Sequence, residues 1–339
     1  AWSKVRRSFL AILCMYAVLF FSLVYWQVGA DIQNHPANPR YYQMFTENRG
    51  AIYDRKGVPL ALSASLDKGM YTRSYATPSL SHVVGYFHQR YGMTGLERIY
   101  HEELIMGRTL VTTLDLELQK VAEEALQGQI GAIVAIKPSS GEILALVSSP
   151  GLDGNALGAN WSDYLDDLRS PFLNRATHGL YPAGSSVKPI LYSAALEKGL
   201  ADRSRLWLDE GSLVLQNRTI NNSGGKAHGN INLDQALAFS SNVVFAQLAI
   251  SLGEGLLEDL EKFGLGRAAD FELNNLSGAV PGKVASPYDA AQLGIGQGDL
   301  LVTPLQMAVV AQTIANDGVM MRPFLVAEIR GGLKMRQLT

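Results

Sequence analysis

The segment GAIVAIKPSSGEILALVSSP, Gly131 to Pro150, decides the fold class. Two β-branched and apolar runs flank Lys137-Pro138-Ser139-Ser140-Gly141, a composition that turns the chain back on itself, so the segment predicts a β-hairpin. Near-continuous apolarity predicts strands buried on both faces, and so the start of a central antiparallel sheet. Downstream the period changes. Segments opening near Ser185, Leu233, Gly255, Pro287 and Thr303 carry helical spacing and alternate with Gly- and Asn-rich loops such as NNSGGKAHGN (Asn221–Asn230). A sheet hairpin followed by many helices is an α+β pattern.

Upstream, TTLDLELQKVAEEALQGQ (Thr112–Gln129) predicts a helix capped by Thr113 or Asp115, with Leu118, Val121, Ala122 and Leu126 on its apolar face. YGMTGLERIYHEELIMG (Tyr91–Gly107) predicts a short amphipathic helix presenting Leu96, Ile99, Tyr100 and Leu104. NRGAIYDRKGVPLALSAS (Asn48–Ser65) reads as a small hairpin, strands Ala51–Tyr53 and Val58–Leu62 about a turn at Asp54–Gly57. Before it lies a polar linker, DIQNHPANPRYYQ, from Asp31.

From Phe9 to Ala30 runs FLAILCMYAVLFFSLVYWQVGA, without a charged residue. At 1.5 Å per residue it spans roughly 30 Å, the thickness of a bilayer's hydrocarbon core. Lys4, Arg6 and Arg7 precede it and Asp31 follows, which by the positive-inside rule puts the tail in the cytoplasm and the remainder outside. Val28-Gly29-Ala30 also resembles a signal-peptide cleavage site, but the apolar core exceeds the usual h-region. A formal net charge of -2 over 339 residues gives no basic field for nucleic acid. The lone Cys14 excludes an intramolecular disulfide, and no zinc-ligand spacing occurs, so neither metal nor cofactor is expected.

The chemistry-bearing stretch is YPAGSSVKPILYSAALEKGL (Tyr181–Leu200). If a helix begins near Ser185, then Ser185 and Lys188 lie one turn apart on one face, and Pro189 fits a first turn. A serine attacks only when a base takes its proton, and a lysine serves only when burial or a neighbouring cation lowers its pKa. Ser185 or Ser186 capping a surface helix, with Lys188 solvated, explains the same residues. A second constellation, QALAFSSNVVFAQLAI (Gln235–Ile250), sets Ser240 and Asn242 between apolar runs, where polar groups need partners. A helix–helix turn capped by Ser and Asn is the plain alternative to a proton relay and a substrate-amide ligand.

In order along the chain, these pieces resemble the class B penicillin-binding proteins, membrane-anchored D,D-transpeptidases whose superfamily signature is Ser-x-x-Lys, a Ser-x-Asn-type motif and Lys-Thr-Gly. RGAIYDRKGVPLA (Arg49–Ala61) resembles the pedestal hairpin, TGLERIY its Gly-Leu-Glu segment, TTLDLELQ the helix before the catalytic domain, and the 131–150 hairpin the first two strands of its sheet. YPAGSSVKPI resembles the nucleophile segment, FSSN the second motif, and GIGQGDLLVTPLQMAVVAQTIANDG (Gly294–Gly318) the helix-entry segment beyond it. The short pedestal is most similar to that of the family's actinobacterial A-type members.

The resemblance implies a tail at 1–8, an anchor at 9–30, a linker and pedestal at 31–128 and a transpeptidase domain at 129–339. It implies Ser185 as the acyl-accepting nucleophile, Lys188 as base, Ser240 as proton relay and Asn242 as ligand of the substrate amide. The implied partners are peptidoglycan stem peptides, β-lactam antibiotics, the membrane and a membrane glycan polymerase, with no nucleic acid. The implied place is the bacterial cell membrane, single-pass, with the catalytic domain extracytoplasmic.

Two departures stand out. Ala183 replaces a common second Pro, and Ser186-Val187 a usual Thr-Phe. Lys-Thr-Gly is missing, and since losing one oxyanion donor costs roughly 3–4 kcal/mol of barrier, the resemblance reads as C-terminal truncation and implies that the chain as given is inactive or nearly so. Rival readings are a non-catalytic scaffold or β-lactam sensor of the same fold and a secreted β-lactamase or carboxypeptidase. Weaker ones are a nucleotide site at Gly294-x-Gly296-x-Gly298 and a Ser-His-Asp triad using His178, with His178 and His228 otherwise loop residues.

Overall fold

The computed structural model describes residues 2–26, 48–65, 71–88, 90–202, 204–215, 217–331 and 336–337. Helix α1 (Trp2–Val24) has a mean hydropathy of 2.1 in its most apolar window and is long and apolar enough to cross a membrane. It starts earlier than the predicted anchor at Phe9, because Lys4, Arg6 and Arg7 are good helix formers with no breaker among them. Residues 27–30 of the anchor and the juxtamembrane linker lie outside the described residues.

The pedestal hairpin is present as β1 (Ile52–Tyr53) and β2 (Pro59–Ser65). Its turn is built on buried Asp54, whose Oδ1 accepts the N–H groups of Lys56 and Val58, both at 2.8 Å. Gly57 supplies the positive φ of 82° that the turn needs. Strands β3 (Tyr71–Tyr75) and β4 (Thr109–Thr112) extend the sheet, β4 pairing parallel to β1.

The predicted 91–107 helix is two short ones, α2 (Gly95–Ile99) and α3 (His101–Ile105), broken at Tyr100 with φ/ψ of -105/30°. Leu96 and Leu104 are fully buried across the break, while Ile99 is left exposed. The fully buried Glu97 holds the region together: its Oε2 accepts from Arg49 Nη2 at 2.8 Å and its Oε1 from Arg73 Nε at 2.6 Å. Arg49 in turn lies over the Phe87 ring, 4.2 Å from its centroid.

Helix α4 (Leu116–Ala125) is capped by Asp115, one of the two predicted caps. Its buried face is Leu116, Gln119 and Ala122, whereas the expected Val121 is 60% exposed. The hydrophobic pattern missed Gln119 because a glutamine reads as surface. Here its carboxamide accepts from Leu146 N–H and donates to Leu146 C=O, both at 2.9 Å. Those bonds satisfy one unit of the outer edge of the 131–150 hairpin, as a neighbouring strand would.

That hairpin is antiparallel β5 (Gly131–Ile136) on β6 (Ile143–Ser149). The expectation of burial on both faces holds for most of β6 alone; every residue of β5 is half-buried. Late in the chain, β13 (Val326–Arg330) pairs antiparallel with β4, so the N- and C-terminal regions share a six-stranded sheet. One core contains Ile52, Leu60 and Leu110 from the pedestal together with Ile143, Leu146, Leu325 and Val326.

The helical half contains α5 (Leu157–Asp166), α6 (Arg175–His178), α7 (Lys188–Glu197), α8 (Leu233–Ala238), α9 (Asn242–Leu252), α10 (Gly255–Lys262), α11 (Pro287–Gly294) and α12 (Pro304–Ala315). The five predicted openings match α7, α8, α10, α11 and α12 closely. Helix α9 sits at the centre, with Val244, Phe245, Leu248 and Ala249 fully buried in the same cluster as Ile190, Leu191 and Leu293. Unexpected from the sequence are four short strands between α7 and α8. β8 (Trp207–Asp209) pairs with β11 (Gly229–Ile231), and β9 (Ser212–Leu215) with β10 (Arg218–Asn221). Three or four residues each, they fall below the length at which strand periodicity is legible.

Glu97→Ala is expected to leave two buried guanidinium groups unpaired and to destabilise the protein by about 3–5 kcal/mol. The midpoint of guanidinium unfolding measures it; an unchanged midpoint would show that the pedestal does not depend on this carboxylate.

Candidate active site

Gly184, at φ 56°, cannot be a regular helical residue, and Pro189 has no N–H to bond back to Ser185. The chain answers with a 3₁₀ turn, Gly184–Val187, in which Lys188 N–H bonds Ser185 C=O, and α7 follows from Lys188. Ser185 therefore stands one turn ahead of the helix rather than inside its first turn. Its side chain is exposed at the surface while Lys188 is 1% exposed. Ser186 turns away and donates to Ala183 C=O at 2.5 Å.

Four residues singled out from sequence come together here. Lys188 Nζ donates to Ser240 C=O at 2.7 Å, Asn242 Oδ1 at 2.8 Å and Ser240 Oγ at 3.0 Å. Ser240 Oγ lies 3.0 Å from Ser185 Oγ, so the lysine reaches the serine through a hydroxyl. The Lys188 ammonium also lies over the Phe245 ring, 5.4 Å from its centroid. Burial lowers the Lys188 pKa to about 8, which makes a neutral amine accessible near neutral pH. Asn242 is fixed on its other side as well, Nδ2 donating to Asn221 C=O at 2.8 Å.

Ser240 fills the corner between α8 and α9 with φ 55°, a left-handed conformation costly for a residue with a Cβ. That twist turns its carbonyl and hydroxyl together onto Lys188. Beneath the corner lies a polar cluster that sequence reasoning missed. Asp209, fully buried, accepts from Gly211 N–H, Asn222 Nδ2, Ser241 Oγ and His228 Nδ1. Burial alone would push its carboxyl up, but the hydrogen bonds from His228, Gly211, Ser241 and Asn222 hold it below its ordinary value. His228, read as a loop residue, donates from Nδ1 to that carboxylate and stacks on Phe239 at 4.8 Å. No motif spacing ties Asp209 to Ser241, since the β8–β11 and β9–β10 pairings bring them together.

The Gly294-x-Gly296-x-Gly298 segment follows the C-terminal end of α11, the wrong helix end for a phosphate site. Its glycines serve packing. Gly296 C=O accepts from Gly184 N–H at 2.8 Å, and a Cβ on Gly296 would come within 2.1 Å of Gly184 C=O. Strand β12 (Leu301–Val302) then pairs with β7 (Tyr181–Pro182), so the Gly296–Val302 segment backs the Ser185 turn. His178 bonds its neighbour Thr177 at 2.8 Å at the end of α6 rather than joining a triad with Ser185.

This chain matches two family models, the penicillin binding protein transpeptidase domain over residues 131–338 and the penicillin binding protein A dimerisation domain over residues 49–129. It is 34% identical to the peptidoglycan D,D-transpeptidase PbpA of Mycolicibacterium smegmatis, over 97% of this chain and 76% of that one. Identity to the protein of the same name from Mycobacterium tuberculosis is 31% over the same shares. Among solved structures, the imipenem acyl-enzyme complex of M. tuberculosis penicillin-binding protein A superposes with a TM-score of 0.81 at 30% identity. That match covers 86% of this chain and 76% of the other. The D,D-transpeptidase domain of an Eggerthella lenta peptidoglycan glycosyltransferase gives 0.78 at 30% identity, over 86% and 77%.

Gly296→Ala is expected to force the Ser185 turn away from its backing and to lower the melting temperature by several degrees, as a loss of 1–3 kcal/mol roughly would. Gly282→Ala, with open space around its Cβ position, is the control and should leave it unchanged. Equal melting temperatures for the two variants would refute the packing role.

Proposed function

The chain belongs to the penicillin-binding protein transpeptidase family and is a peptidoglycan D,D-transpeptidase; from that premise we propose that Ser185 carries its acyl-enzyme. The observation that supports this most is the chain of contacts from a buried lysine through Ser240 to an exposed Ser185 Oγ. With Lys188 neutral, Ser185 O–H donates to Ser240 Oγ and Ser240 O–H to Nζ, so the serine proton moves inward as Oγ attacks.

The carbonyl attacked is that of the penultimate D-Ala of a stem peptide. The tetrahedral adduct collapses by breaking the D-Ala–D-Ala amide bond, and the departing amine takes a proton from Lys188 by way of Ser240. An amine of a neighbouring strand then attacks the ester carbonyl, loses a proton along the same path and restores Ser185. Asn242, besides holding Lys188, serves as the ligand of the substrate amide. A β-lactam presents the same carbonyl in a ring, and its opened amine cannot diffuse away, which supports trapping on Ser185. Helix α1 supports anchoring in a membrane, and Lys4, Arg6 and Arg7 near its start support a tail in the cytoplasm with the remainder outside, where a glycan polymerase would supply the strands.

The protein, expressed from its complete reading frame, should form a stable adduct with a fluorescent penicillin, and Ser185→Ala should abolish it. Labelling that survives in Ser185→Ala would remove Ser185 from the role. The acylation rate should rise with pH and level off above about 8, because the depressed Lys188 pKa makes roughly a tenth of the amine neutral at pH 7, against under a thousandth at its ordinary value. A rate flat from pH 6 to 9 would exclude Lys188 as the base.

A further inference from the structure

Next to the residues of the transpeptidase chemistry lies a fully buried carboxylate without a part in it, that of Asp209 at the end of β8. We propose that Asp209 is a positioning residue which, through Ser241 and Asn222, holds the Ser240–Ser241–Asn242 corner in the one conformation that receives Lys188. The proposal rests on the assignment of Ser185 and Lys188 made above.

A buried carboxylate is costly unless donors surround it, so its donors show what the fold uses it for. Gly211 N–H and the Asn222 carboxamide, at the two ends of the β9–β10 hairpin, secure the carboxylate to it. Ser241 Oγ donates to Asp209 Oδ2 at 2.8 Å and also accepts Val244 N–H at 3.1 Å, capping α9. Asn222, whose Nδ2 is held by Asp209, turns its Oδ1 to the N–H groups of Asn242 at 2.8 Å and Val243 at 3.1 Å. One carboxylate thereby fixes the first three N–H groups of α9 through two intermediaries.

Between those anchors and α8 lie Phe239 and Ser240, the latter in its left-handed conformation. A strained backbone of this kind persists only where its surroundings over-determine it. Asp209 supplies that from below, and His228 from the side: its Nδ1 is 2.8 Å from Asp209 Oδ2 and its ring stacks on Phe239, the residue before Ser240. If the corner relaxes, the Ser240 carbonyl, the Ser240 hydroxyl and the Asn242 carboxamide all move off Lys188 Nζ, since each is carried by the same three residues. The chemical step loses the whole path from Ser185 to Nζ, whereas binding loses only the Asn242 contact, so the rate falls further than the affinity.

Stopped-flow acylation by a chromogenic β-lactam separates the two, giving a limiting acylation rate and a dissociation constant for the complex that precedes it. Asp209→Asn keeps the shape but loses one acceptor oxygen; the limiting rate is expected to fall about 10–100-fold, with the dissociation constant within about threefold of wild type. Ser241→Ala removes one link and should lower the rate by a smaller factor. In the double variant the losses should not multiply, because both act through one corner.

Limiting rates within twofold of wild type in folded Asp209→Asn and Ser241→Ala, or losses that multiply in the double variant, overturn the positioning role. If Asp209→Asn does not fold, Ser241→Ala decides alone: a limiting rate that falls by more than the affinity does supports the proposal, and a wild-type rate or an equal loss in both overturns it. A wild-type protein that forms no adduct would overturn the Ser185 assignment itself, whereas a labelled wild type with unaffected variants overturns only the role of Asp209.

Discussion

A lysine ammonium leaves water only if oxygens replace its hydration, and meeting that demand at Lys188 arranges the corner that faces Ser185. Three acceptors from one short corner close on Nζ, and the Phe245 ring covers it. Lys188 is planted at the start of α7 and Phe245 in α9, so the buried cation joins the two central helices. The same burial that makes the amine costly to keep charged lowers its pKa to about 8, as the proposed role of base requires. Stability and reactivity oppose each other at this one atom.

The supports of the corner are polar below and glycine-lined behind. Asn222 and Ser241, both held by Asp209, occupy donors that would otherwise be orphaned at the start of α9, where helix N–H groups lack intrahelical partners. Gly296 lets a second backbone reach Gly184 closely enough to exchange a hydrogen bond. Neither support touches Ser185, yet both limit where its hydroxyl can be.

Much of this was legible in the sequence for a physical reason. Ser185 and Lys188 are three apart and Ser240 and Asn242 two apart, so local spacing carries each pair, and the apolar flanks signal that the polar residues must find partners. Helix openings at Leu233, Pro287 and Thr303 are marked by capping residues, Asn232, Ser286 and Thr303, whose side chains do bond the first turn. Asp209 was not legible, because its partners at 211, 222, 228 and 241 are gathered by strands of three or four residues. Gln119 was hidden differently: a residue counted as surface replaces a strand's hydrogen bonds, and no hydrophobic pattern registers that. The expectation for β5 failed because apolarity reports what a strand can bury, not what is packed against it.

The sheet places a further constraint on how the two halves can be considered. The β13 strand, arriving after α12, pairs with β4 beside β1, and its residues enter the core that contains Ile52 and Leu60. Glu272 reinforces the junction, its Oε1 accepting from the N–H groups of Leu325 and Val326 at 2.9 and 3.1 Å. A pedestal tied to the rest only by the segment near residue 129 could swing as a separate body, because few contacts would oppose the motion. One that borrows its central pairing from the far end of the fold cannot move without breaking a strand ladder and opening a buried core. The pedestal strands and the helical half that carries Ser185, Lys188 and Ser240 are therefore joined at both ends of the fold, by the segment near residue 129 and by β13.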